Sequence, residues 1–188
     1  DDGDDNFRKM AASVAALSPT ENCPVFLPYM AGERSPVWDP RARGVFFGLS
    51  LHTKREQIAR AVFESCAFGD RQLIEIAESM TGTKIDEVLC IGGWSMVDDW
   101  NKIKADVAGR AFCSLDLPEA AVVGAALLGG MASGLYSSFA DAAGKVEKKA
   151  RKRFTPDPAF RASYDKRYSI YTDLYPRLKE LFKRWEFN

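Results

Sequence analysis

The chain has 188 residues, 46% of them hydrophobic and 28% charged, the mixture of a soluble globular domain or a large part of one. Its 26 lysines and arginines balance 26 aspartates and glutamates, which excludes nucleic-acid binding driven by bulk charge. A single histidine, His52, excludes a multi-histidine metal centre, and no apolar stretch is long enough to span a bilayer.

The opening DDGDD is neither basic nor apolar, as a signal peptide would be, and reads as a solvated terminus. Residues 6–17 have helical spacing and stop at SPTENCP. VFLPYM (25–30) is a short apolar run before a Pro- and Gly-containing loop, 31–44. VFFGLSL (45–51) reads as a strand interrupted by Gly48. Thr53 is placed to cap a long helix, with Glu56 three residues on to close a capping box. Apolar residues recur at helical steps as far as Met80, and Gly82 ends the helix.

EVLCIGG (87–93) and AFCSL (111–115) read as short buried strands. Between them lies a helix, 96–109, and a helix of small residues follows at 119–133, with Pro118 at its start. Strands alternating with helices imply parallel pairing through right-handed crossovers. The Gly130–Gly134 pair suits close helix packing in a core. Positions 145–153 hold six cations and one acid with no interleaved aromatic, the pattern of a solvated helix end and linker. Asp157 opens a final helix on which Phe160, Tyr164, Tyr168, Tyr171 and Tyr175 form one stripe, for packing on the domain body or on a partner chain. Pro176 should kink or restart that helix. The four cysteines form no C-x-x-C pair and read as buried free thiols of a reducing compartment.

Residues 92–95, Gly-Gly-Trp-Ser, stand where a strand breaks into a helix. Ser95 is placed to cap that helix with Asp98 closing a box, and Asp98 and Asp99 occupy its first turn. A helix N-terminus suits a phosphate, but two carboxylates repel one. The turn is therefore either a bare connection or a seat for a neutral group, such as a nucleoside ring, with Trp94 as a stacking face.

Over residues 26–65 the sequence resembles the FGGY family of carbohydrate kinases, in PY-x-x-GER-x-P, ARG-x-x-x-GL, His-Thr and I-x-RAV-x-E. The likeness continues in Ile-Gly-Gly at 91–93, W…KADVAG at 100–109, EAAVVGAALLGG at 119–130 and the F-x-P-D-P tail. The GER-S-P loop is most similar to the xylulokinase branch, with glycerol kinases and other members next. The resemblance implies an actin/hexokinase-like (ribonuclease H-like) α/β fold, with helices packed on a mainly parallel sheet. Residues 1–188 would be most of the second, C-terminal domain, its early strands and the N-terminal domain lying elsewhere, and 154–188 a helical tail.

Such kinases move the γ-phosphoryl of ATP, with Mg2+, to a sugar hydroxyl. Gly92, Gly93, Trp94 and Ser95 match their adenosine turn, where Trp94 replaces a glycine and Met96 a lysine. No D-x-G-T phosphate loop or proton-accepting aspartate is found in the chain, so no catalytic and no metal-binding residue is assigned to it. The implied partners are ATP or ADP, sugar only together with the N-terminal domain, no nucleic acid and no membrane, and a homodimer through the aromatic helix. The implied compartment is the cytoplasm. A stand-alone, non-catalytic half-domain used for binding or assembly is the other reading. Within the GER loop Glu33 and Arg34 are read as a pair; His52 holds the strand-to-helix turn, and Glu64 pairs with Arg43 or Arg60.

Overall fold

The computed structural model describes residues 2–117, 119–146 and 149–185, with side chains from Asn6 onward. Pro118 lies outside the described residues. In chain order the elements are α1 (Asp2–Ala15), β1 (Val25–Leu27), β2 (Val45–Phe47), α2 (Arg55–Thr81) and β3 (Glu87–Cys90). They continue with α3 (Asp98–Ala108), β4 (Ala111–Leu115), α4 (Ala120–Ala132), α5 (Phe139–Gly144), β5 (Ala150–Phe154) and α6 (Arg161–Arg184). The acidic opening is helical from Asp2, so the terminus read as solvated is the first turn of α1.

β1 and β2 form an antiparallel pair, with Phe26 opposite Phe46. β3 and β4 are parallel, joined through α3, as the strand–helix alternation implies. Of the basic stretch read as a linker, residues 147 and 148 lie outside the described residues, and residues 150–153 are instead part of strand β5, antiparallel to β4, which makes the three-stranded sheet mixed. Its cations are paired across the sheet edge: Lys152 with Asp98 and Arg153 with Glu87, at 2.8 and 2.6 Å. Phe154 is buried against Phe112 and Ala108.

The principal core lies where α1, α2, α3 and α6 meet β1. Tyr164, Tyr168 and Tyr171 of the aromatic stripe are buried there with Phe63 and Phe68. Tyr164, Tyr168 and Tyr171 of the stripe therefore face the inside of this chain. α6 runs unbroken through Pro176. At its N-terminus Asp157 caps a short 3-10 turn, Pro158–Phe160, rather than α6 itself.

Glu64 is wholly buried between two arginines, Arg60 at 2.7 Å and Arg167 at 2.8 Å; Arg43 is not its partner. Arg60 also donates to Tyr164 Oη and the Leu17 carbonyl, and Arg167 to the Pro19 carbonyl. One carboxylate and a ring of carbonyls thus satisfy two guanidinium groups far from water.

The start of α2 differs by one residue from the expected cap. Lys54 is the N-cap, and its N–H donates to Gln57 Oε1 at 2.8 Å, so Gln57 and not Glu56 reaches back. Thr53 Oγ1 instead accepts from the Ser50 N–H, which closes the turn; His52 contributes its backbone N–H, bonded to Ser50 Oγ. Glu33 accepts from the backbone N–H of Arg34, at 2.7 Å. Gly82 ends α2 in the left-handed conformation, φ 65°.

α4 corrects a further expectation. None of its residues is buried, and the space beside Gly130 is taken by the Tyr136 ring rather than by another helix. All four cysteines are free; Cys23 and Cys113 are buried, Cys90 is half-buried, and Cys66 is exposed on α2.

Candidate functional site

The site is built at the carboxyl end of β3. Gly92 has φ 86° and ψ 173°, backbone that only glycine adopts without strain. Its N–H donates to the Leu117 carbonyl beyond β4, at 3.3 Å. Residues Gly93–Met96 then form one 3-10 turn before α3 begins.

That extra turn changes the role of Ser95. It does not cap α3, whose N-cap is Val97. The Ser95 hydroxyl points back and donates to the Gly92 carbonyl at 2.7 Å, and the Ser95 N–H donates to the same oxygen at 3.1 Å. Asp98 consequently closes no box with Ser95. Its carboxylate takes Arg151 and Lys152 from β5. Partial burial pushes the Asp98 carboxyl upward, but the hydrogen bonds from Lys152 and Arg151 prevail and hold it below the usual carboxylate range. One of the two acids expected to repel a phosphate, Asp98, thus carries two cations.

Trp94 is 60% exposed, yet its position is braced. Its ring lies 4.6 Å from Phe7 of α1 and 5.9 Å from Trp100 of α3, centroid to centroid. Trp100 is itself anchored, its Nε1 donating to the Phe63 carbonyl at 3.2 Å. The Gly92 and Gly93 backbone is open: a Cβ built on either would meet no atom within 4 Å. Trp94 stands between two recesses. One, about 150 Å³, is lined by Phe7, Arg8, Gly93 and Val97; the other, about 490 Å³, by Leu73, Leu89, Ile91 and Lys104 among others. The structure thus brings Gly92, Gly93, Trp94 and Ser95 together on one exposed rim.

A cavity of about 550 Å³ lies elsewhere, between the loop after β2 and α6, and includes Cys23, His52 and Arg167. Burial, with the Glu64 charge second, pushes the Cys23 thiol up to about 11, so it stays protonated, and Arg167 is already bonded to Glu64.

Two supports of the site carry no local sequence signal. Phe7 reaches Trp94 across 87 positions, and Asn101 sits beneath the turn with its Nδ2 donating to the Ser95 carbonyl at 2.7 Å. Asp98 draws its partners, Arg151 and Lys152, from more than fifty positions away. Among the described residues no group of three or more His, Cys, Asp or Glu side chains is arranged to hold a metal ion.

Comparison with known proteins defines the class. Residues 1–133 match the C-terminal domain of the FGGY family of carbohydrate kinases, and the chain belongs to that family. Among curated relatives it is 27% identical to the xylulose kinase of Lactococcus lactis over 184 residues, covering 97% of this chain and 37% of the relative. It is 32% identical to glycerol kinase 2 of Saccharolobus solfataricus over 165 residues, 88% of this chain and 31% of the relative. Among solved structures the xylulose kinase of Rhodospirillum rubrum superposes with a TM-score of 0.76 at 28% identity, over 96% of this chain and 36% of that one. The fold is accordingly the actin/hexokinase-like fold of these kinases, and the chain spans about a third of the length of these relatives.

Proposed function

We propose that this chain is the nucleotide-side portion of an ATP-dependent sugar kinase, one that moves the γ-phosphoryl group of ATP to a sugar hydroxyl, with D-xylulose as the acceptor. The observation that carries the reading is the open Gly92–Gly93 backbone beside the exposed ring of Trp94, at the carboxyl end of a parallel strand. Such strand ends are where α/β sheets take ligands. Adenosine would lie against the glycine backbone with Trp94 at its edge. Arg151 and Lys152, both on Asp98, offset the formal charge of the first-turn acids Asp98 and Asp99 and so lessen their repulsion of the phosphates.

Phosphoryl transfer is mostly positioning and charge stabilisation. The residues here supply positioning on the base side only: they hold the nucleoside and exclude water from one of its faces. The acceptor, the metal and the group that takes the hydroxyl proton belong, in this reading, to the rest of the enzyme. Xylulose is favoured by the similarity to xylulose kinases over nearly the whole chain; the 32% identity to a glycerol kinase makes glycerol the second reading. A cytoplasmic setting follows from ATP as the donor and agrees with the four free cysteines. Among the described residues no helix is long and apolar enough to cross a membrane.

The test is ADP titration followed by tryptophan fluorescence, on the unaltered chain and on Gly93→Val. Gly93 lies in the ordinary backbone region with free space around it, so the variant folds; its side chain occupies the space meant for the nucleoside. Binding by the unaltered chain and a loss of tenfold or more in the variant supports the placement, and equal affinities refute it. Phosphorylation of xylulose against glycerol by the full-length enzyme decides the acceptor.

A further inference from the structure

Beneath the rim lies a polar residue that the fold alone does not require. Asn101 is in the first turns of α3 and only 1% exposed. Its backbone N–H makes the ordinary helical bond, to the Val97 carbonyl at 3.1 Å. Its side chain reaches six positions back and donates from Nδ2 to the Ser95 carbonyl, at 2.7 Å. Its Oδ1 is buried and has no partner among the described residues. A buried amide oxygen without a donor is unfavourable, and an apolar side chain of similar size would remove that cost. The one polar contact Asn101 does make is on the glycine turn.

The geometry of that contact is specific. The Ser95 N–H and hydroxyl both converge on the Gly92 carbonyl, while the Ser95 carbonyl is held by Asn101. Ser95 is therefore gripped on both sides of its Cα. Gly93 and Trp94 are the two residues between the gripped points. Their orientation follows from where Ser95 is held. The neighbouring anchor, Trp100 Nε1 on the Phe63 carbonyl, ties α3 to α2 and leaves the turn itself free.

We propose that Asn101 is a positioning residue for the nucleotide: it fixes the Ser95 carbonyl, and thereby sets the Gly93 backbone and the Trp94 ring in the arrangement that adenosine meets. It does not touch the ligand. The inference rests on the nucleotide reading given above, and it assigns to Asn101 the pre-organisation of that site rather than the stability of the domain.

The experiment replaces Asn101 by Leu, which keeps the volume, removes the donor and removes the unpartnered oxygen. Three quantities are measured on the full chain: the thermal midpoint, amide hydrogen exchange at Ser95 and Val97, and ADP affinity. The expected result is a midpoint at or above that of the unaltered protein, exchange at least several-fold faster at those two amides, and ADP affinity lower by roughly three- to tenfold, the effect of one hydrogen bond. If Asn101→Leu does not fold, Asn101→Ala, which likewise removes the donor and the unpartnered oxygen, is read by the exchange and the ADP affinity alone. Unchanged exchange at Ser95 and Val97 overturns the proposal whether or not ADP binds. Faster exchange with unchanged ADP affinity also overturns it, because the turn would then be loosened without consequence for the ligand. ADP that fails to bind even the unaltered chain refutes the nucleotide reading itself, and the exchange measurement tells that failure apart from a failure of Asn101 to hold the turn.

Discussion

In α4 thirteen residues run without a charge and none of them is buried. In α6 arginines, lysines and acids are spread over 24 residues, and six side chains, one of them Arg167, are buried. The difference lies in arrangement. The apolar residues of α6 return every three or four positions and make one face; those of α4 surround the helix and favour none. A compact monomer of this mass, 20.9 kDa, exposes roughly 9,000 Å². This chain exposes 11642 Å², and Val122, Leu128, Leu89 and Ile91 are among the large apolar residues that contribute to the surplus. One region holds itself together, and the other presents surface.

The comparison is broken most severely at Glu64. Glu64→Ala leaves Arg60 and Arg167 buried without their carboxylate and should lower unfolding free energy by about 3–5 kcal/mol. Urea denaturation measures it, and a loss below about 1 kcal/mol would mean that water reaches the arginines. A smaller effect is expected at Asp98, which is about a third exposed. Its carboxyl is held below the ordinary range, so its contribution is full above that range and is lost as pH falls through the lowered value. Thermal midpoints from pH 7 down to pH 3 should fall less steeply for Asp98→Asn than for the unaltered chain; parallel curves would show that the pairing with Arg151 and Lys152 does not persist in solution. The smallest effect belongs to α4. Leu128→Glu should shift stability by no more than about 0.5 kcal/mol. A loss of 2 kcal/mol or more would show that α4 is packed after all and would dissolve the contrast.

Much of the fold is legible in the sequence, because its signals are local. Gly82 and Gly109 end their helices in left-handed conformation, the parallel pair β3–β4 follows from a strand–helix–strand order, and the tyrosine stripe of α6 is buried as its spacing implies. The errors share a cause as well. Cations at 151–153 read as solvent-exposed because their partners, Asp98 and Glu87, are more than fifty positions away. Ser95 fits a capping pattern that holds only if the helix starts at once, and one inserted 3-10 turn cancels it. The residues of the candidate site were visible as a glycine pair with Trp94 and Ser95. Their supports, Phe7 and Asn101, were not, since what fixes a turn from behind depends on packing and leaves no spacing to read.

The Glu64 cluster also sets an order of events. Glu64 and Arg60 lie one helical turn apart and can meet as soon as α2 forms. Arg167 comes 103 positions later, and once in place it also clasps the Pro19 carbonyl 148 positions before it. On a ribosome the residues before Arg161 must therefore wait with a charged, half-built interior until α6 emerges. At about 5–20 residues per second that wait lasts several seconds. A message truncated before α6 would yield a polypeptide with every candidate site residue present and with Glu64 lacking Arg167.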